Sequence, residues 1–214
     1  HGSVPADVAA WYLNPPFFIG RTALAFCGWT LLVFLLPRLT GAAATVTAGV
    51  GLIFYGVMIC VLGTDWVLSL EPNFVSTSFG ATLAFTQLAS ALAGTAIGAR
   101  DDGDPAFADL GGLLLATLLG IVYMNFMAVL VIWYGDVPER VAWFVVRTHG
   151  PWPLMAWLAL ICGSAVPILA LFLGRWRRSP RPLRSIAGIA LCGIALYDCY
   201  LVAPAFGGPA LGAA

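Results

Sequence analysis

The residues of this sequence that could do chemistry are acids placed inside or beside long apolar segments. Asp65 and Glu71 flank a short apolar stretch in TDWVLSLEPNFVSTSFG, residues 64–80, and Asp198 follows Tyr197 in the last apolar segment. An acid at the centre of a membrane-spanning helix costs about 2.5–3.5 kcal/mol on insertion scales, so it persists where it pairs with a cation or lines a proton path. These acids are therefore the first candidates for a functional role.

Asp65 has two competing interpretations. It could take or relay a proton, or it could have a structural role. In the structural interpretation, it pairs with Arg21 or accepts hydrogen bonds from the helix start at residues 76–78. We expect Arg21 at a similar membrane depth, which favours a structural ion pair between Arg21 and Asp65.

The residues after Asp65 predict a tight turn between two helices. Glu71 precedes Pro72, and proline disfavours helical geometry in the residue before it. Ser76 or Thr77 could then cap the next helix by accepting a hydrogen bond from a free backbone N–H.

Asp198 is the deepest acid and has no basic neighbour on its own helix. A buried lone carboxyl would be neutral, because desolvation disfavours the charged form, and it would suit a proton relay. The alternative is a hydrogen bond to a hydroxyl group on a neighbouring helix. Tyr197, Asn125 and Gln87 are polar residues that could extend such a path, although each amide alone is typical of interhelical hydrogen bonding.

The cysteines and histidines predict no metal or haem site in this chain. The cysteines lie in apolar runs without a CxxC or CxxCH motif. A membrane b-type haem usually needs two histidines on facing helices, and the histidines here are the terminal His1 and His149. We therefore expect no catalytic residue, metal or cofactor held by this chain itself.

The composition is that of a membrane protein. The 214 residues are 61% hydrophobic and 9% charged, and the mean hydropathy is +0.94, whereas soluble domains are about half apolar and about a quarter charged. The formal net charge is zero. Without a basic face, nucleic acid is excluded as a partner.

The apolar runs predict an all-α fold: a polytopic transmembrane helix bundle in a single domain, residues 1–214. A spanning helix needs about 20 apolar residues. Six runs satisfy this, at 15–37, 45–70, 76–98, 107–134, 152–174 and 185–204. The segment near 137–148 is too short to span and predicts an interfacial helix, with Trp143 and Phe144 dipping into the bilayer.

The arginines predict which loops face the cytoplasm. GRWRRSPRPLR carries five arginines, so we expect this loop in the cytoplasm and residues 65–78 and 136–151 on the opposite side. The mixed charge of the latter segment predicts a docking surface for other subunits. Its candidate residues are Asp136, Glu139, Arg140 and Arg147.

Four sequence blocks carry a resemblance to a known family. YLNPPFFIGRTALAF, DWVLSLEPNFVSTSFG, VLVIWYGDVPERVAWFVVR and LYDCYLVAP resemble, in order and spacing, the ActF family of membrane subunits of bacterial alternative complex III. That complex is a quinol:cytochrome c oxidoreductase, and ActF is similar to the NrfD/PsrC membrane anchors. The resemblance covers residues 11–204 and implies a multi-pass anchor subunit of a respiratory quinol-oxidising complex in the bacterial inner membrane.

The resemblance also implies partners and cofactors. Haem c and iron–sulfur clusters would belong to a multihaem cytochrome c and an iron–sulfur protein, next to an NrfD-like sister subunit and the lipid bilayer. This chain would supply helix packing, the docking surface and a proton path, with quinone or quinol bound nearby. Family members usually have more spanning helices than six, and the others are expected before residue 1 or absent in a short branch.

Two alternatives remain open at the level of sequence. The family tends to place histidines in the last two helices, where this chain reads LYDCY and ICGSAVP. Their absence argues against a quinol-oxidising site within this subunit, whereas Asp65 keeps that site in consideration. The other alternative is a stand-alone secondary transporter or channel subunit with its own acid path, although the runs show no inverted repeat.

Overall fold

The protein is described by a computed structural model that covers residues 14–70, 76, 78–99, 106–135, 141, 143–145 and 147–206. Every regular element in these residues is a helix. Six of the helical segments are long and apolar enough to cross a membrane. The predicted all-α, polytopic fold is therefore confirmed.

The helices are numbered here in chain order. They are α1 (Pro15–Leu35), α2 (Gly41–Trp66), α3 (Phe79–Gly98), α4 (Ala106–Gly135), α5 (Trp152–Leu160), α6 (Val166–Phe172), α7 (Gly174–Arg177) and α8 (Pro180–Val202). Short 3-10 turns extend α1, α2 and α8. The spans predicted to begin at residues 45 and 185 begin earlier, at Gly41 and Pro180. Proline suits a first helical turn, which accounts for the earlier start at Pro180.

The sequence predicts that Ser76 or Thr77 caps α3, and Ser76 does not. The N-cap residue is Ser78, and its side chain makes no capping hydrogen bond because its backbone is already helical, with φ −88° and ψ −5°. A capping side chain usually needs an extended backbone to reach the free N–H groups. The Ser76 and Ser78 hydroxyl oxygens instead lie 3.2 Å apart, and Thr77 lies outside the described residues.

The fifth span is interrupted by a π-helical turn, Ile161–Ala165, between α5 and α6. The N–H of Val166 donates to the carbonyl of Ile161, five residues back. Pro167 follows directly and has no N–H to continue an α-helical ladder, which accounts for the local widening. The turn presents Gly163 to α8, where a Cβ added to Gly193 would lie 1.9 Å from the Gly163 nitrogen. The two helices therefore meet backbone to backbone.

The core lies among α3, α4, α6 and α8. Leu114 and Leu118 of α4, Leu171 of α6 and Leu183 of α8 are all completely buried. By contrast, Ala25 is the only residue of α1 classed as buried. The described chain thus consists of a packed α3–α8 core with α1 attached at its edge through α2.

The interfacial segment is helical at residues 141 and 143–145. Trp143 does not dip into the bilayer as expected, because its side chain is 8% exposed and packs against Phe79 and Leu201. This segment therefore covers one end of the core.

Candidate functional site

A cavity of about 470 Å³ lies between α3, α4, the π turn and α8, under the interfacial segment. Most of its lining is apolar and includes Phe79, Phe126 and Trp143. Its lining also includes residues with hydroxyl or amide side chains: Ser76, Thr82, Thr86, Asn125, Ser164, Tyr197 and Tyr200. An apolar cavity with a few polar groups is typical of a small-molecule site, and its volume lies within the usual range of about 300–1,000 Å³.

A hydrogen-bonded pair, Tyr197 and Asn125, crosses this cavity. The Tyr197 hydroxyl on α8 donates to Oδ1 of Asn125 on α4 at 2.8 Å. The Asn125 amide nitrogen donates to the carbonyl of Ile121 at 3.0 Å, one turn earlier. Because that bond fixes the amide, Oδ1 keeps a lone pair for another donor and the Tyr197 oxygen can accept as well.

Arg147 belongs to the interfacial segment, whose Trp143 and Phe144 line the cavity. The Arg147 guanidinium donates to the carbonyls of Trp143 at 3.0 Å and Leu201 at 3.2 Å, with a longer bond of 3.5 Å to Tyr200. The guanidinium carbon lies 3.8 Å from the centroid of the Trp143 ring. The last carbonyls of a helix lack partners within the helix and carry partial negative charge, so a cation at the end of α8 is well placed.

This placement corrects the expectation that Arg147 belongs to a docking surface. Its side chain is 3% exposed, because the guanidinium is used inside the protein to join two elements. The other docking candidates, Asp136, Glu139 and Arg140, lie outside the described residues.

The Arg21 and Asp65 side chains form an ion pair between α1 and α2. Nε of Arg21 donates to Oδ2 of Asp65 at 2.8 Å, and a terminal guanidinium nitrogen lies 2.7 Å from the same oxygen. The Asp65 side chain is 3% exposed and that of Arg21 is 12% exposed. Neither residue lines the cavity, so the contact favours the structural interpretation of Asp65.

The remaining polar candidates do not reach the cavity. Gln87 accepts a hydrogen bond of 2.9 Å from the Tyr55 hydroxyl between α2 and α3. Asp198 is exposed on the outer side of α8, although its neighbour Tyr197 faces the cavity. The structure therefore brings Tyr197 and Asn125 together and places Asp65, Gln87 and Asp198 elsewhere.

Several lining residues were missed in the sequence. Ser164 and Gly163 reach the cavity because the π turn displaces them from a regular helical position. The signal for this turn is Pro167 inside an uninterrupted apolar run, since an internal proline often marks a kink or bulge. Thr82 and Thr86 lie one helical turn apart on α3, and that spacing could have marked a polar stripe.

No protein-family model matches this chain, and no curated protein sequence matches it.

Proposed function

We propose that this chain is the integral membrane anchor subunit of a respiratory quinol-oxidising complex of the alternative complex III type, and that its cavity binds the quinol. The main support is that three of the four sequence blocks contribute residues to the lining of this cavity. Phe79 belongs to the second block, Trp143 to the third and Tyr197 to the fourth, and all three line one cavity. The first block joins the second through the Arg21–Asp65 ion pair.

The lining suits the chemistry of a quinol. A quinol has a flat ring with hydroxyl groups and an apolar tail. The Tyr197 hydroxyl and Oδ1 of Asn125 can bind a ring hydroxyl, while Phe79 and Trp143 provide apolar surface for the ring. Phe126 lines the cavity and is also 61% exposed on α4, so a tail can leave the cavity toward the lipid.

In this proposal, the chain binds and orients the quinol and its partners carry the electrons. Oxidation of a quinol to a quinone releases electrons and protons together. We assign the electrons to haem c and iron–sulfur clusters of a multihaem cytochrome c and an iron–sulfur protein. The oxygen of the Tyr197 hydroxyl can accept a hydrogen bond from a ring hydroxyl and so orient the quinol.

The interfacial segment supplies the contact with these partners. Arg147 fixes this segment to the end of α8. Asp136, Glu139 and Arg140, which precede it in the sequence, remain our proposed docking residues on the ground of their mixed charge. Together with an NrfD-like sister subunit in the inner membrane, this arrangement would hold the electron carriers beside the cavity. A transporter or channel subunit is the weaker proposal, because Asp65 and Asp198 both lie away from the cavity.

Binding of a short-chain quinone analogue to the detergent-purified complex tests the proposed site. Titrating the analogue against protein fluorescence gives a Kd. We expect Tyr197→Phe to raise this Kd about 3- to 10-fold, as loss of one hydrogen bond would. We expect Ala156→Trp to abolish binding because residue 156 lines the cavity.

Tyr55→Phe is the matched control, since it removes a similar tyrosine–amide bond away from the cavity. Equal effects of the two tyrosine changes, or unchanged binding with Ala156→Trp, would contradict the proposed cavity site. The subunits that co-purify test the anchor role separately. A multihaem cytochrome c and an iron–sulfur protein are expected, whereas a particle containing only this chain would favour a transporter.

A further inference from the structure

The outer face of α8 carries an acid at the depth of the cavity. Asp198 lies on this face with Cys192, Ala195 and Cys199, all of them exposed. We call these four residues the Asp198 face. They lie inside the apolar span Pro180–Ala205.

Contacts across the bundle fix the depth of Asp198. Its neighbour Tyr197 is hydrogen-bonded to Asn125. Asn125 lies nine residues before Tyr134, which is 90% exposed at the end of α4. Nine residues rise about 13 Å in an α-helix. Because aromatic residues at span ends mark the membrane surface, Asp198 lies well inside the apolar layer.

No group in the described part of the chain compensates the negative charge of the Asp198 carboxylate. No described residue forms an ion pair or hydrogen bond with its carboxylate, and Arg21, which contacts Asp65, is on the far edge of the bundle. Acids within spanning helices almost always face protein or water and pair with another group. An aspartate side chain is also too short to reach the membrane surface from this depth.

The residues around Asp198 allow another helix to approach closely. Cys192, Ala195 and Cys199 have small side chains, and small residues at a membrane helix surface permit close contact between backbones. Small size alone would not identify an occupant. The acid does, because acids within spanning helices pair with another group, and a basic side chain on the covering helix would compensate the charge of this carboxylate.

We propose that the Asp198 face is an intersubunit contact, covered by a membrane-spanning helix of another protein that carries a lysine, arginine or histidine at the depth of Asp198. A second copy of this chain fits poorly, because a symmetric contact would bring two Asp198 carboxylates together. The contact is separate from the quinol site, since Tyr197 turns into the cavity and Asp198 turns away from it.

Site-specific photo-cross-linking in native membranes tests this contact. A photoreactive amino acid replaces Ala195, one turn from Asp198, in the intact complex. We expect the cross-linked peptide, identified by mass spectrometry, to come from a spanning helix of another subunit with a basic residue within one turn of the cross-link. Adding Asp198→Leu should lower the cross-link yield about tenfold or more, because the charge partner is lost.

The matched control is Cys199→Ser, which leaves the acid in place and should leave the yield unchanged. The midpoint of thermal unfolding in detergent serves as an independent readout of folding. Cross-links to lipid alone, to a second copy of this chain, to a spanning helix that precedes residue 1 in the same protein, or to a helix without a basic residue would each overturn the contact. An unchanged yield in the folded Asp198→Leu variant would overturn it as well.

Discussion

Two parts of the bundle are held together by different kinds of contact. At the α1–α2 edge, the contacts are polar and aromatic. Arg21 pairs with Asp65, and the Trp66 ring stacks on Phe18 with centroids 6.3 Å apart. In the 18-residue window of the first span, 6% of the residues are buried.

The α3–α8 core uses small residues and close backbone contact instead. Ala89, Ala93 and Ala96 of α3 are completely buried, and α8 meets the π turn at Gly193 and Gly163. Lipid tails are as apolar as leucine, so burying apolar side chains against another helix gains little in a membrane. The edge therefore depends on an ion pair and aromatic contacts between side chains, whereas the core depends on how closely its backbones can approach.

Gly193→Ala should have the largest effect on the core. The added Cβ would lie 1.9 Å from the Gly163 nitrogen, so the helices must separate. We expect the free energy of unfolding to fall by about 3 kcal/mol or more, the upper end for overpacking. Thermal unfolding in detergent, followed by circular dichroism, measures this change.

Gly188→Ala on the same helix is the matched control, because no atom lies within 4 Å of its added Cβ. We expect it to be neutral or to stabilise by up to about 1 kcal/mol through helix propensity. Equal stability of the two variants would mean that backbone contact does not hold the core.

Arg147→Leu should destabilise the core by about 2–3 kcal/mol, because carbonyls at the end of α8 lose a charged donor. The loss should appear as faster proteolysis of the interfacial segment and a lower midpoint of thermal unfolding. Arg178→Leu, at an exposed arginine, should change stability by no more than about 0.5 kcal/mol. A similar effect from both changes would assign the loss to net charge rather than to the bonds of Arg147.

Asp65→Asn should loosen the edge and leave the core intact. We expect about 2 kcal/mol, less than the 3–5 kcal/mol for breaking a fully buried pair, because Arg21 is partly exposed. Spin labels at Ile19 and Ile53, both exposed, should show a broadened distance distribution between α1 and α2. Yield of the assembled complex should also fall.

The double variant Arg21→Gln/Asp65→Asn should recover part of this loss, because no unpaired charge remains. If Asp65→Asn assembles normally but no longer oxidises quinol, Asp65 has a chemical role and the structural interpretation fails.

Tyr55→Phe and Tyr197→Phe should have the smallest effects on stability, about 0.6 kcal/mol each, the average for an interhelical hydrogen bond in a membrane. Because both variants should lose the same stability, a difference in quinone affinity between them would report on the cavity alone. Only Tyr197→Phe should weaken quinone binding. Unfolding measurements on both variants check that the two losses of stability are equal. A much larger loss for Tyr197→Phe would mean that its binding defect reflects misfolding.

The number and approximate position of the spans could be predicted because the length of an apolar run is a direct requirement of the bilayer. The inward face of each helix could not, because a membrane helix is apolar on most sides and its pattern does not distinguish core from lipid. Asp198 shows the difficulty. Its type indicated a buried group, yet the rotation of α8 turns it outward.

Contacts between distant segments were predictable only in part. Arg21 and Asp65 could be matched by membrane depth, which sequence position gives. The burial of Arg147 could not be predicted, because its mixed-charge neighbourhood resembles a solvated surface and its acceptors are backbone carbonyls. The cavity was hidden for a similar reason, since it depends on the π turn before Pro167.

The bonds made by Arg147 also have a consequence for biosynthesis. Its acceptors at Tyr200 and Leu201 lie 53 and 54 residues further along the chain. At about 5–20 residues per second, α8 is completed roughly 3–10 s after Arg147 is synthesised. Until then, part of the hydrogen-bonding demand of this guanidinium is met by water, which keeps the interfacial segment at the membrane surface. Insertion of the last helix therefore completes the cavity, because a nascent chain that stops before Tyr200 lacks two of its lining residues, Tyr200 and Leu201.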